Sequence, residues 1–255
     1  MSAEREPDVK RGAATLRLAV LCDLLEERWF SMDLLADMLL EHAAAVPSVA
    51  VERFRPALPP PLGKMATTAG QRPLERWSRK FGLGLGRYAG YPLELFRVRD
   101  QFDWFHVADH SYAHLAFELP KGRAGVYCHD IDAFRPLLET PRAALPRRAL
   151  ARTLLAGLRR ARVVFHSTLA VRDDILAHGL VPAERLVHAP YGVAREFVPE
   201  RSPLDAELAG KPPFVLHVGS LIPRKNPEFL LELAVELLRS RTELELVQAG
   251  GRFSP

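Results

Sequence analysis

The sequence predicts an α/β protein built on parallel sheets, and three observations carry that reading. Short apolar runs such as Leu16–Cys22 and Phe214–Val218 alternate with stretches of helical periodicity. The first well-patterned segment reads β–α–β, a unit that closes with parallel strands and a right-handed crossover. A composition of 48% hydrophobic and 26% charged residues supplies a core and a polar surface.

Residues 1–14 are polar and charged, without the apolar centre of a signal peptide, and read as a disordered leader. Leu16–Cys22 is a buried strand. Ser31 is the expected N-cap of a helix running to His42, with Leu34, Leu35, Met38 and Leu39 on one face. Trp29 reads as a buried staple at its start. Val49–Phe54 is the second strand. Residues 56–73, rich in Pro, Gly and Thr, read as a long loop, followed by a partly helical stretch from Leu74 to Phe81. Gly82-Leu-Gly-Leu-Gly86 follows no strand and lacks the spacing of a dinucleotide fingerprint.

Strands at Phe102–Val107 and Ala124–His129 bracket a helix over Ser111–Leu119. A helix over Ala149–Ala161, a strand at Arg162–His166, a helix from Leu169 to His178 capped by Ser167, and a short strand at Leu186–Ala189 follow. Pro199, Pro203, Pro212 and Pro213 mark a linker. A last β–α–β unit comprises Phe214–Val218, Pro227–Ser240 and Glu243–Gln248. The expected organisation is a leader at 1–14, an N-terminal domain at 15–199, a linker at 200–213 and an incomplete second domain at 214–255.

A net charge of +4 without a basic stripe interleaved with aromatics argues against a nucleic-acid partner. Cys22 and Cys128 lie far apart, outside any CxxC, and read as buried free thiols in a reducing compartment. With no apolar span long enough for a bilayer, the expectation is a cytoplasmic chain. Arginines 142, 147, 148, 152, 159, 160 and 162 fall on or beside a leucine-bearing helix. Either its leucines pack on the sheet under a solvated arginine face, or it docks peripherally on the inner membrane surface.

The candidate chemistry begins at Phe214-Val-Leu-His-Val-Gly-Ser-Leu-Ile-Pro-Arg-Lys-Asn226. A strand stops at Gly219-Ser220, a short loop presents Arg224 and Lys225, and Pro227 opens a helix. Unpaired N–H groups at a helix start, two cations and a glycine suit a bound phosphate; an ordinary connection with solvated cations would look the same. This segment resembles the start of the donor-binding domain of retaining GT-B glycosyltransferases of the "glycosyl transferases group 1" (family 4) type. Ala161-Arg-Val-Val-Phe-His-Ser-Thr168 and Leu186-Val-His-Ala-Pro-Tyr-Gly-Val193 with Phe197-Val-Pro199 are similar to further strings of that family.

The resemblance implies two Rossmann-like domains. It implies that Arg224 and Lys225 grip the diphosphate of a nucleotide-sugar donor, with Gly219 and Ser220 lining the approach. His129-Asp130 ends a predicted parallel strand, where ligands bind in open α/β sheets. By resemblance His129 contacts the transferring sugar and Asp130 supports it or faces the acceptor. The resemblance also puts Asp109 and His110 on the acceptor side. His106, His110 and His114 share a four-residue spacing, but His106 falls on a strand, so an acceptor pocket or satisfied histidines are favoured over a zinc site. No metal or other cofactor is expected.

The implied activity is transfer of a sugar from a nucleotide-sugar to a hydroxyl acceptor, with retention. The acceptor would be a glycan, a lipid-linked molecule or a small molecule. The family's later paired-glutamate segment has no counterpart, so the donor domain reads as truncated. The chain alone is expected to be weak or inactive unless a second chain or self-association completes it. Two alternatives stand beside this: a non-catalytic acceptor-binding or partner subunit, and a nucleotide-sugar epimerase-like enzyme.

Overall fold

The computed structural model describes residues 15–67, 73–138, 144–193, 210–221 and 225–250. The chain divides into two units, Met1–Ala194 and Arg195–Pro255. The expected leader and most of the expected linker fall outside the described residues.

The first unit is a six-stranded parallel sheet. Its strands are β1 (Leu16–Leu21), β2 (Val49–Phe54), β3 (Trp104–Val107), β4 (Ala124–Cys128), β5 (Val163–His166) and β6 (Leu186–His188). Their order is β2-β1-β3-β4-β5-β6, so the chain leaves β1 for one side and then returns to build the other. That reversal between β1 and β3 opens a crevice at the strands' carboxyl ends. Helix α1 (Phe30–Ala44) covers β1 and β2 on one face. The main core lies on the other face, where Phe105, Val107, Val126 and Val164 meet Leu154 and Leu158 of α6 (Leu145–Arg160).

Several local expectations are corrected. Helix α1 starts at Phe30, not after Ser31, because Met32 and Asp33 both donate backbone N–H to the Trp29 carbonyl. Trp29 is 52% exposed, so it is not a buried staple. The expected loop at 56–73 holds α2 (Pro60–Thr67), whose two leading prolines sit where a helix has no N–H to lose. Helix α3 (Pro73–Leu85) outruns its expected end and passes through a five-residue π turn, Gly86–Gly90, into α4 (Tyr91–Val98). Tyr91 and Leu95, one helical turn apart, are fully buried there.

The Ser111–Leu119 helix is instead a 3-10 helix over His110–Phe117, capped by Asp109, whose carboxylate accepts from the Ser111 N–H at 2.8 Å. A short helix α5 (Arg135–Leu138) precedes α6. Thr168, not Ser167, caps α7 (Leu169–Ala177), its hydroxyl accepting from the Val171 N–H at 3.2 Å. Arg159 and Arg160 of α6 are exposed, and each is also tethered to a backbone carbonyl. Arg160 Nε donates to the Ala116 carbonyl at 2.7 Å, and Arg159 Nε to that of Leu180 at 2.9 Å. Cys22 and Cys128 are buried free thiols. Among the described residues, no helix is long and apolar enough to cross a membrane.

The second unit holds β7 (Phe214–Val218), α8 (Pro227–Ser240) and β8 (Glu245–Ala249), with the two strands parallel. Asn226, at a left-handed φ of 49°, caps α8 and accepts from the Phe229 N–H at 3.4 Å. The backbones of Gly219 and Gly250 run so close that a Cβ on Gly250 would lie 3.1 Å from the Gly219 carbonyl oxygen.

Candidate active site

The carboxyl ends of β1, β3 and β4 carry Asp23, Asp109-His110 and His129-Asp130. Parallel strands all end on one edge, which is why residues so far apart in sequence meet. His110 is buried between two carboxylates: Nδ1 lies 3.1 Å from Asp109 Oδ1 and Nε2 lies 3.5 Å from Asp130 Oδ1. Burial alone would lower its pKa, but the nearby acidic groups, Asp109 and Asp130 among them, raise it well above the ordinary value. The same contact, with the Ser111 N–H, holds Asp109 well below the carboxylate range despite burial. These contacts favour the charged form of His110, held between two carboxylates, while the His129 backbone N–H also points at its Nδ1 at 3.4 Å. Asp130 Oδ1 also accepts from the Asp132 N–H at 2.9 Å, which fixes the turn after β4.

His129 is held differently. Its Nε2 lies 2.7 Å from the Ala108 carbonyl, which can only accept, so Nε2 carries the proton. Nδ1 then accepts from the Tyr191 hydroxyl at 2.6 Å. Burial pushes its pKa down, partly offset by Asp109. The Tyr127 ring stacks on it at 4.6 Å and 18°, and the Tyr127 hydroxyl donates to the Ala189 carbonyl. His129 is thus a neutral acceptor in a fixed tautomer, whereas the contacts of His110 favour its charged form.

Asp23 was not singled out from the sequence, although its position one residue past a buried strand beside the switch point would have flagged it. It is 4% exposed, and among the described residues neither carboxyl oxygen has a hydrogen-bond partner. Burial first, then the charges of Asp109 and Glu27, push it up to about 8. Close by, Arg87 of the π turn pairs with Glu27 at 3.1 Å and lies 3.9 Å over the Tyr112 ring. The folded pKa of Asp23 exceeds its unfolded value of about 3.9. Its stabilising contribution is therefore complete below pH ~4 and is lost as pH rises toward 8. Asp23→Asn is expected to flatten the fall in melting temperature between pH 5 and 8.5. Parallel slopes for variant and parent would remove Asp23 as its source.

In the second unit, Gly219 and Ser220 follow β7, and the Gly219 N–H donates to the Ala249 carbonyl at 2.8 Å. Lys225 is exposed one residue before the cap of α8. Arg224 lies outside the described residues. The structure thus brings His129, Asp130, Asp109 and His110 together in the first unit, while in the second Gly219 and Ser220 follow β7 and Lys225 precedes α8.

These strands and connections are those of a GT-B-type, Rossmann-like α/β fold. The chain is similar to Anabaena Alr3699/HepE, solved in complex with UDP and glucose, with a TM-score of 0.54 and 14% identity over 93% of this chain and 62% of that one. It spans, therefore, less than two thirds of the length of HepE. Two further solved structures are LpCGTa in complex with UDP, with a TM-score of 0.47 and 12% identity over 93% of this chain and 71% of that one, and the lipopolysaccharide outer core galactosyltransferase WaaB in its apo form, with 0.47 and 15% over 93% and 61%. No protein-family model and no curated protein matches the chain.

Proposed function

We propose that the chain belongs to a glycosyltransferase of the retaining, family 4 type that uses a nucleotide-sugar donor, a UDP-sugar by analogy with HepE. The observation that carries this reading is the meeting of His129-Asp130 with Asp109-His110 at the carboxyl edge of a GT-B-type sheet, beside the reversal of strand order. In the proposed reaction the acceptor oxygen bonds to the anomeric carbon. The bond from that carbon to the phosphate oxygen breaks, and the diphosphate leaves with the electron pair. The acceptor's proton passes to the leaving phosphate. Arg224 and Lys225, with the N-terminus of α8, stabilise the departing charge. Neutral His129 orients a sugar hydroxyl through Nδ1 when Tyr191 yields. Asp109, His110 and Asp130 hold the acceptor side in shape. No step requires a metal.

Calorimetry of UDP and UDP-glucose against the parent and Lys225→Ala tests the donor site. Micromolar binding that weakens about tenfold in the variant is expected, the value of one charge-assisted contact. Absence of binding by a folded chain would overturn the reading for this chain. NMR of the product's anomeric centre tests retention.

A second reading, a subunit completed by another chain or by its own copy, is favoured by apolar exposure in the second unit. Val218 is 72% exposed, with Leu216 and Phe229 also open. On that reading the chain alone transfers sugar weakly or not at all. Sedimentation of the isolated chain as a monomer with full turnover would exclude it.

A further inference from the structure

We propose that the slot between α1 and the sheet binds an uncharged, flat aromatic alcohol, and that this is the acceptor of the transfer proposed above, on which that role rests. The slot lies wholly in the first unit and measures about 460 Å³, within the range of small-molecule sites.

Its floor comes from alternation along the strands. Trp104 and His106 of β3, Tyr127 of β4 and Phe165 of β5 point away from the main core. Gly125 makes room: a Cβ there would come within 2.8 Å of Phe165 Cε2, so the bare backbone lets that ring lie across β4. The ring planes of His129, Tyr191 and Phe165 lie within 18°, 17° and 26° of that of Tyr127. A wall of nearly parallel rings selects a flat ligand. Leu35, Met38 and Leu39 of α1 close the opposite side.

Two polar features give direction. Among the described residues no Asp, Glu, Lys or Arg lines the slot, whose titratable side chains there are His42, His106, His129 and two tyrosines, so it favours an uncharged ligand over a nucleotide. Deep inside, His106 is 9% exposed, and its ring makes only aromatic contacts, with Phe165 at 5.3 Å and Tyr127 at 6.2 Å, among the described residues. Its ring nitrogens face the slot, where water or a ligand hydroxyl or carbonyl can bond them. The rim, at Ala108, His129 and Tyr191, is the edge where the transfer is proposed.

The chain has three tryptophans, so Trp29→Phe with Trp77→Phe leaves Trp104 alone to report on the slot. The probes are 2-naphthol, neutral at pH 7, and naphthalene-2-sulfonate, its charged counterpart. Saturable quenching of Trp104 by 2-naphthol at micromolar concentration is expected. The sulfonate should bind at least about tenfold more weakly, and His106→Phe should weaken 2-naphthol by about tenfold. No quenching of the folded chain up to millimolar 2-naphthol, or equal binding of the sulfonate, would overturn the assignment; the sulfonate arm holds even if the His106 variant misfolds. Incubation with UDP-glucose separates this assignment from the transferase reading. Quenching without a glucosylated product keeps the slot and counts against the transferase role, whereas product without saturable quenching overturns the slot.

Discussion

Gly157→Ala is expected to destabilise the first unit by about 3 kcal/mol or more, the upper part of the overpacking range. Gly157 lies on α6 where that helix crosses the 3-10 helix that begins at His110. A Cβ there would stand 2.5 Å from the Ala113 carbonyl carbon and 3.0 Å from the His114 nitrogen, and nearer still to the Ala113 oxygen. These are backbone atoms, so no rotamer change relieves the clash. Arg160, one turn on, ties the same two elements through the Ala116 carbonyl. At about 2–4 °C per kcal/mol for a chain of this size, the melting temperature should drop by about 6–12 °C. Gly84→Ala is the control. It also lies in a helix, but a Cβ there meets nothing within 4 Å, so it should be neutral or stabilising by up to ~1 kcal/mol. Equal melting of the two variants would refute the close-approach account.

His110→Phe is expected to cost about 3–5 kcal/mol, the range for removing one member of a buried ion pair, and to abolish any transfer activity. The variant leaves Asp109, still bonded to Ser111, without its cation, and Asp130 repelling it across the gap. The pH dependence checks the cause. Because the folded pKa of His110 is raised, its contribution is complete below the unfolded value of about 6.5 and is lost as pH rises through the folded one. The parent should therefore lose stability on the alkaline side by a component missing from His110→Phe, measured in an Asp23→Asn background to remove the slope from that group. Adding Asp109→Asn to His110→Phe should restore part of the loss. A variant that melts with the parent at neutral pH would show that the clamp contributes nothing.

The strands were legible because most are short, largely apolar runs bounded by polar or turn residues. Val49–Phe54 and Phe214–Val218 coincide with the expected segments to the residue. The ends of β3 and β4 were close enough to place Asp109, His110, His129 and Asp130 at an edge. The helices from 60 to 98 were obscured because Pro60, Pro61, Pro92 and five glycines between 82 and 90 and at 63 look like turn chemistry. The prolines instead occupy first turns, and long-range burial of Tyr91 and Leu95 against the main core outweighs the weak propensity of the glycines. Trp29 failed as a staple for the converse reason: its apolar ring gave no sign of which way the backbone turned.

The sequence by itself determined the alternation of strand and helix, the parallel sheet, and which residues stand at strand ends, since these follow from local periodicity and turn residues. Only the tertiary structure decided what those residues do to one another. The charged form of His110 is favoured because β3 and β4 are neighbours and carry Asp109 and Asp130 to its two nitrogens. His129 becomes a neutral acceptor because the Ala108 carbonyl accepts a hydrogen bond from its Nε2–H, fixing the proton there, and the hydroxyl of Tyr191, far along the chain, donates to its other nitrogen. The protonation and tautomer of an imidazole are set by the partners that the strand order supplies, and no short-range pattern encodes them.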